Sequence, residues 1–291
     1  ESLPDPTRGN VVDLVLSDAP PGELKQRVFE KAGFTDADRA YTNLLALAGR
    51  DARRETFAPL AVLGMDMLQR SPDADMAFNN WEHFVAGLGD GRAHFELLLA
   101  QPRRLEILLS IFAGSQFLAD TLARDPDFLD WVTDPSVLHG QRGTGVLKSD
   151  LASFAVWVGD MGVWLRALRR FRRREILRIG TRDICLHAPL EGVTADLSDL
   201  AETLIDATLE RAWGHVLEQA GGALDPREAF CILALGKLGG RELNYSSDID
   251  LVAVIDDAHW DDAGTRAAAR DLCRRAMEHV RRSLSEHTDG G

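Results

Sequence analysis

The sequence predicts a mostly α protein with a small α/β part near its end. Two observations carry this prediction. Up to about residue 222, apolar residues recur at three- and four-residue spacing, the mark of helices with one buried face. Beyond residue 226 the pattern becomes a short apolar run, a glycine-rich turn, a second apolar run and a long amphipathic stretch. The domain organisation read from this change is a helical region over 1–222 and an α/β domain over 223–291. A chain of 291 residues is an ordinary length for about two domains.

Leu105, Leu108, Leu109 and Phe112 make one buried helical stripe. Ser115 is placed to cap a helix carrying Leu118 and Leu122. That helix should stop at Asp125-Pro126, because a residue before proline resists the α conformation. Asp125 and Pro126 are then expected to cap and open a helix with Phe128, Leu129, Trp131 and Val132. Thr133 to Lys148, with four glycines or prolines, reads as a loop. Residues 151–179 read as arginine-rich helix, with Arg166, Arg169, Arg170, Arg172, Arg173, Arg174, Arg178 and Arg182 in and just beyond it. Such a run is ordinarily a solvated face; its other reading is a surface for phosphate or an acidic partner. A further helix carries Leu197, Leu200, Ala201, Leu204, Ile205, Thr208, Leu209 and Ala212. Gly221-Gly222 breaks it and Asp225-Pro226 turns the chain.

Ala229 to Leu235 is a continuous apolar run, expected as a strand buried on both faces, with Cys231 a small core residue. Leu251 to Ile255 is the second strand. Asp261 or Asp262 should cap the final helix, whose stripe is Cys273, Ala276, Met277, Val280 and Leu284. Trp81, Trp131, Trp157, Trp164 and Trp213 are expected in the core.

Composition excludes several classes. Apolar residues are 45% and charged residues 27%, which is globular. No apolar run reaches the roughly 18 residues that span a bilayer, and Glu1 to Asn10 lack the basic start and apolar core of a signal peptide. The net charge of −13 argues against broad nucleic-acid binding. Three scattered cysteines, with no Cys/His ligand spacing, argue against zinc and suit a reducing cytoplasm. The expectation is a cytoplasmic protein with no membrane or nucleic-acid partner.

The chemistry is expected between the two strands. Residues two apart on a strand share a face, so Asp248 and Asp250 present two carboxylates together, with Ile249 expected in the core behind them. Adjacent carboxylates repel, and a shared cation relieves them. Hard oxygen donors point to Mg²⁺ or Mn²⁺. Gly236, Gly239 and Gly240 let backbone N–H groups approach a phosphate. A phosphate turn beside metal-binding aspartates suits phosphoryl or nucleotidyl transfer.

Strand, glycine turn and Asp-x-Asp in this order resemble the DNA polymerase β type of nucleotidyltransferase, although Lys237 stands where Gly or Ser is usual. The run Gly236-Lys-Leu-Gly-Gly-Arg-Glu-Leu-Asn-Tyr-Ser-Ser-Asp-Ile-Asp-Leu251 is similar to the signature of the glutamine synthetase adenylyltransferase and adenylyl-removing family. Pro72 to Trp81, Ser115 to Pro126 and Leu168 to Asp183 resemble its N-terminal part. The resemblance implies a helical region followed by a polymerase β-like nucleotidyltransferase domain. Asp248 and Asp250 would bind metal, Gly239, Gly240 and Lys237 would hold phosphate, and Ser246 and Ser247 would brace the turn or donate to phosphate. Arg241 and Glu242 are expected to be structural. Adenine nucleotide and phosphate would be substrates, glutamine synthetase the partner, and the PII signal protein and glutamine the regulators. Asn244-Tyr-Ser-Ser247 is similar to the unit that removes AMP.

The family's third metal-binding aspartate lies in a run resembling Phe-Arg-Val-Asp-Leu-Arg-Leu-Arg-Pro after the long helix. No such run occurs within the 291 residues, so the nucleotidyltransferase domain is expected to be incomplete here and poorly active alone. Two other readings stay open. One is a docking or regulatory module without turnover. The other is a nucleotidyltransferase with another substrate.

Overall fold

The computed structural model describes residues 10–89, 91–140, 142–155, 160–222 and 224–285. It is mostly helical with one two-stranded sheet, as the periodicity predicts. The chain forms two units, Glu1–Gly140 with Gly180–His187, and Gln141–Ile179 with Ala188–Gly291.

The first unit holds α1 (Val11–Leu16), α2 (Gly22–Lys31), α3 (Ala37–Ala48), α4 (Asp51–Leu68) and α5 (Ala74–Ala86). It continues with α6 (Arg92–Ala100), α7 (Pro102–Gly114), α8 (Gln116–Arg124), α9 (Phe128–Val132) and α10 (Pro135–His139). Its core is aromatic. Phe57, Phe78, Trp81, Phe84, Phe95 and Phe112 are all buried, with ring centroids 5.0 Å apart for Phe57–Phe95 and 5.7 Å for Phe84–Phe112. Tilted rings at such distances favour edge-to-face contact over stacking.

Local signals hold where they are strongest. α7 buries Leu105, Leu108, Leu109 and Phe112 on one face. The Ser115 hydroxyl accepts from Leu118 N–H and caps α8, which ends at Arg124 before Asp125-Pro126. α9 starts at Phe128, two residues later than Pro126, with Asp127 at the cap position. The expected loop over 133–148 is corrected by α10 and the start of the next helix. Asp134 accepts from Ser136 N–H at 2.8 Å and Pro135 takes the first helical position, where its missing N–H is harmless.

The helical motifs that carried the resemblance have structural roles here. Asp73 caps α5, and Asp75 accepts from the N–H and hydroxyl of Thr35 at 2.8 and 2.7 Å. Asn80 donates to Phe112 O and accepts from Gln116, both at 3.0 Å, so residues 72–81 and 115–126 are pinned together.

His94 packs between Phe84 and Phe95. Burial disfavours its charged ring and brings its pKa down from 6.5 to about 4, against the pull of Asp130. The unfolded chain therefore takes this proton near pH 6.5, and the folded chain only near pH 4. The stability that the neutral ring supports is present above 6.5 and falls as pH drops through that window. Between pH 6.5 and 5 the expected loss is about 1 to 2 kcal/mol. In His94→Phe, which keeps an aromatic ring in place, the unfolding free energies from denaturant titration at pH 7 and pH 5 should differ less by that amount. An unchanged difference would discard the assignment.

The second unit holds α11 (Thr144–Phe154), most of α12 (Met161–Leu186), α13 (Leu190–Gln219), β1 (Phe230–Ala234), α14 (Gly236–Gly239), β2 (Leu251–Ile255) and α15 (Ala263–Ser285). Gly221 and Gly222, after α13, take positive φ values of 72° and 67°, which explains glycine there. Asp262 accepts from Thr265 N–H at 2.8 Å and starts α15. β1 and β2 pair antiparallel from Phe230↔Ile255 to Ala234↔Leu251. Phe230 and Ile255 pack on a cluster of Trp213, Val216, Cys273, Ala276 and Val280.

The expectation that β1 is buried on both faces is corrected. Cys231 is exposed, Leu233 is 50% exposed, and Val254 and Val252 opposite them are each 41% exposed. An apolar run without alternation reports a strand but not which neighbours cover it, and among the described residues helices cover one face. Trp81, Trp164 and Trp213 are buried and Trp131 is half-buried, while Trp157 lies outside the described residues. Among the described residues no helix is long and apolar enough to cross a membrane.

α12 carries a mixed stripe. Trp164, Leu168, Phe171, Glu175 and Arg178 follow helical spacing, and all are buried. The last two are fully buried ions. Arg178 Nε donates to Glu175 at 2.9 Å and its Nη1 to Asp196 at 3.3 Å. Arg174 reaches Glu175 at 3.1 Å and Asp150 at 3.3 Å, and Arg142 pairs with Asp150 and lies 3.5 Å from Glu175. Part of the arginine run is thus an internal network and not a solvated face.

Candidate functional site

Gly236 follows β1 with φ +56°, a left-handed conformation that side chains disfavour. Leu235 N–H donates to Asp250 O at 2.9 Å, which carries the strand pairing one step past β1 and β2. Asp250 is thereby set against Gly236. A Cβ at Gly236 would lie 3.8 Å from Asp250 Oδ2, so the carboxylate stands beside the turn.

Gly236 to Gly239 wind one helical turn, α14. Gly239 N–H donates to Leu235 O at 3.2 Å and Gly240 N–H to Gly236 O at 3.0 Å, so these two groups hold the turn itself. A Cβ at Gly239 would stand 2.4 Å from Ala234 O, which makes Gly239 a packing requirement. The N–H groups of Gly236, Lys237 and Leu238 make no hydrogen bond among the described residues, and the Lys237 side chain is exposed.

The following turn is organised by Asn244. Its side-chain oxygen accepts from Ser246 N–H at 3.1 Å and from the Ser247 hydroxyl at 2.6 Å, and Asn244 N–H donates to Ser247 Oγ at 3.1 Å. Arg241 ties the turn to α13 through Asp199 at 2.5 Å and Glu202 at 2.9 Å. Leu243 is buried beneath it.

Asp248 and Asp250 sit at alternate positions just before β2, and both are exposed. Ile249 between them is 41% exposed, not anchored in the core as alternation suggested. A cleft of about 970 Å³ is lined by Ser247, Asp248, Ile249 and Asp250, with Arg172 from α12 and Arg281 from α15. A second hollow of about 290 Å³ shares Arg172, Ser247 and Ile249 and adds Leu168, Asn244 and Tyr245. Sequence reasoning missed Asn244 as the hub of the turn, and it did not single out Arg172 from its neighbours. The available signal was only that Arg172 stands one turn from both Leu168 and Ile176, with which it lines the smaller hollow while itself remaining exposed.

Among the described residues no three His, Cys, Asp or Glu side chains gather to hold a metal ion. Mg²⁺ does not require three. It is ordinarily held by one or two carboxylates, with waters and substrate phosphate oxygens completing its octahedron. Asp248 and Asp250, two residues apart and both exposed to solvent in the wide cleft, fit that habit.

A family model described as glutamate-ammonia ligase adenylyltransferase matches residues 105–291. The matched span takes in most of α7, all of α8 to α15, the glycine turn and both aspartates. More than half of the chain is matched, and the chain belongs to the glutamate-ammonia ligase adenylyltransferase family.

Proposed function

We propose that this chain serves removal of AMP from an adenylylated tyrosine of glutamine synthetase, by Mg²⁺-dependent phosphorolysis. Glutamine synthetase is the glutamate-ammonia ligase of the family's name, which supports it as the partner. The observation that carries the reading is Asp250 standing beside the Gly236 turn with Asp248 two residues away.

An oxygen of inorganic phosphate attacks the phosphorus of the adenylyl group. The new bond joins that oxygen to phosphorus, and the bond from phosphorus to the tyrosine oxygen breaks. Its electron pair stays on the phenolic oxygen, which takes up a proton, and ADP is the other product. Bound Mg²⁺ would supply charge stabilisation on the phosphoryl oxygens. Asp248 and Asp250 would hold the metal, and the N–H groups of Gly236, Lys237 and Leu238 with the Lys237 side chain would set the phosphate in line, on a turn that Gly239 and Gly240 close, since alignment supplies much of the rate. Ser246 and Ser247 keep the turn rigid through Asn244. The direction rests on Asn244 to Ser247, which resemble the removing unit. Regulation by glutamine and PII, and a cytoplasmic location, belong to this same reading.

The test offers adenylylated glutamine synthetase with phosphate, and separately the unmodified enzyme with ATP. ADP release in the first assay is the expected result. AMP incorporation in the second, with no ADP in the first, would reverse the direction.

A further inference from the structure

The arginine run of α12 divides into residues with different duties. Arg174 and Arg178 are held by Glu175, Asp150 and Asp196. Arg172 is not. Among the described residues its guanidinium makes no ion pair and no hydrogen bond. It lines both the wide cleft with Asp248 and Asp250 and the smaller hollow with Asn244, Tyr245 and Ser247.

Other cleft arginines on α15 are satisfied, Arg270 by Asp257 and Arg274 by Asp271 and Glu278. Arg281 lines the wide cleft but not the smaller hollow, and it is exposed. In a chain with 46 acidic and 33 basic residues, a cleft arginine without a carboxylate is against the balance of charge. Arg172 is exposed to the cleft, yet the protein mass beside its guanidinium and the charge of Arg173 both disfavour the cation and lower its pKa from the usual range. An anion in the cleft would relieve both.

The carboxylates and the guanidinium stand beyond ion-pair distance of one another in one cleft. A group placed between them must present negative oxygens to the guanidinium and, through a cation, to the carboxylates. A phosphoryl group does this, and the planar fork of arginine grips two of its oxygens at once. We propose that Arg172 is the phosphoryl-binding residue of this site, contacting non-bridging oxygens of inorganic phosphate or of the nucleotide. The proposal rests on the reading of Asp248 and Asp250 given above.

Binding is measured by calorimetry on the full chain, with inorganic phosphate alone and with ADP and Mg²⁺. Arg172→Ala is expected to weaken binding about ten- to a hundredfold, the scale of a lost charge-assisted contact. Mg²⁺ affinity without phosphate should stay equal or rise, because a cation has left the neighbourhood. Arg172→Lys, which keeps charge and loses the fork, should fall between, and it decides the matter if the alanine variant is unfolded. Loss confined to phosphate assigns the contact to the attacking group, loss confined to ADP assigns it to the nucleotide, and either upholds the role. Wild-type affinity for both ligands overturns it. If Asp248→Asn with Asp250→Asn keeps Mg²⁺ binding, the reading of the carboxylates fails, and the phosphate isotherms still judge Arg172 separately.

Discussion

Glu175→Gln is expected to destabilise the protein by about 3 to 5 kcal/mol, the scale of removing one member of a buried ion pair. Glu175 and Arg178 are both 0% exposed, and Arg174 and Arg142 also face the Glu175 carboxylate. Removing one negative charge leaves three guanidiniums sharing fewer carboxylates where water cannot replace them. The penalty is mostly that of cations left without their counter-ion, not the worth of the pair. Glu175→Leu combined with Arg178→Met should therefore cost less than the single charge removal, because an apolar pair asks for no solvation. Denaturant titration of the single and double variants measures this. A single variant within about 1 kcal/mol of wild type would show that the network tolerates the loss and that the stripe argument is wrong.

The same network bears on the site. Glu175 and Arg178 fix which side of α12 is turned inward, and Arg172 is carried to the cleft by that rotation. A helix rolled by one residue would move its side chains by about 100° and take Arg172 away.

What the sequence made legible was local. The stripe of α7, the Ser115 cap and the stop at Asp125-Pro126 each depend on a few neighbouring residues, and each stands where the spacing puts it. α10 escaped because five residues show no period, so only Asp134-Pro135 could have signalled it. The exposed side of β1 escaped because burial of a strand depends on what is packed over it, which no run of apolar residues records. In the site, the position of Asp250 against Gly236 follows from the pairing of the two strands continuing through Leu235 and Asp250, and the order of the two apolar runs made those strands legible. Gly239 and Gly240 could not be sorted from Gly236 in advance, since phosphate approach and tight packing call for the same residue. Arg172 could not be sorted from Arg174 because its duty depends on which face α12 buries, and the buried stripe passes from apolar to charged residues midway.

Asp248→Asn with Asp250→Asn is expected to abolish metal-dependent turnover, by about a thousandfold or more. A metal ion contributes several kcal/mol of charge stabilisation to phosphoryl chemistry, and each 1.36 kcal/mol is tenfold in rate. The fold should survive, because both side chains are exposed and neither makes an ion pair or a hydrogen bond among the described residues. Two neighbouring negative charges repel when no cation lies between them. The double variant should then melt at or slightly above the wild-type temperature in the absence of metal. Binding to the native state raises the melting temperature by mass action, so wild type should gain stability as Mg²⁺ is added while the variant should not. The melting scan makes this independent of the reaction, since it reads the metal site even where turnover is slow. A variant that keeps the wild-type Mg²⁺ shift would place the metal elsewhere. One that loses the shift but keeps full turnover would show that the chemistry does not run through these carboxylates.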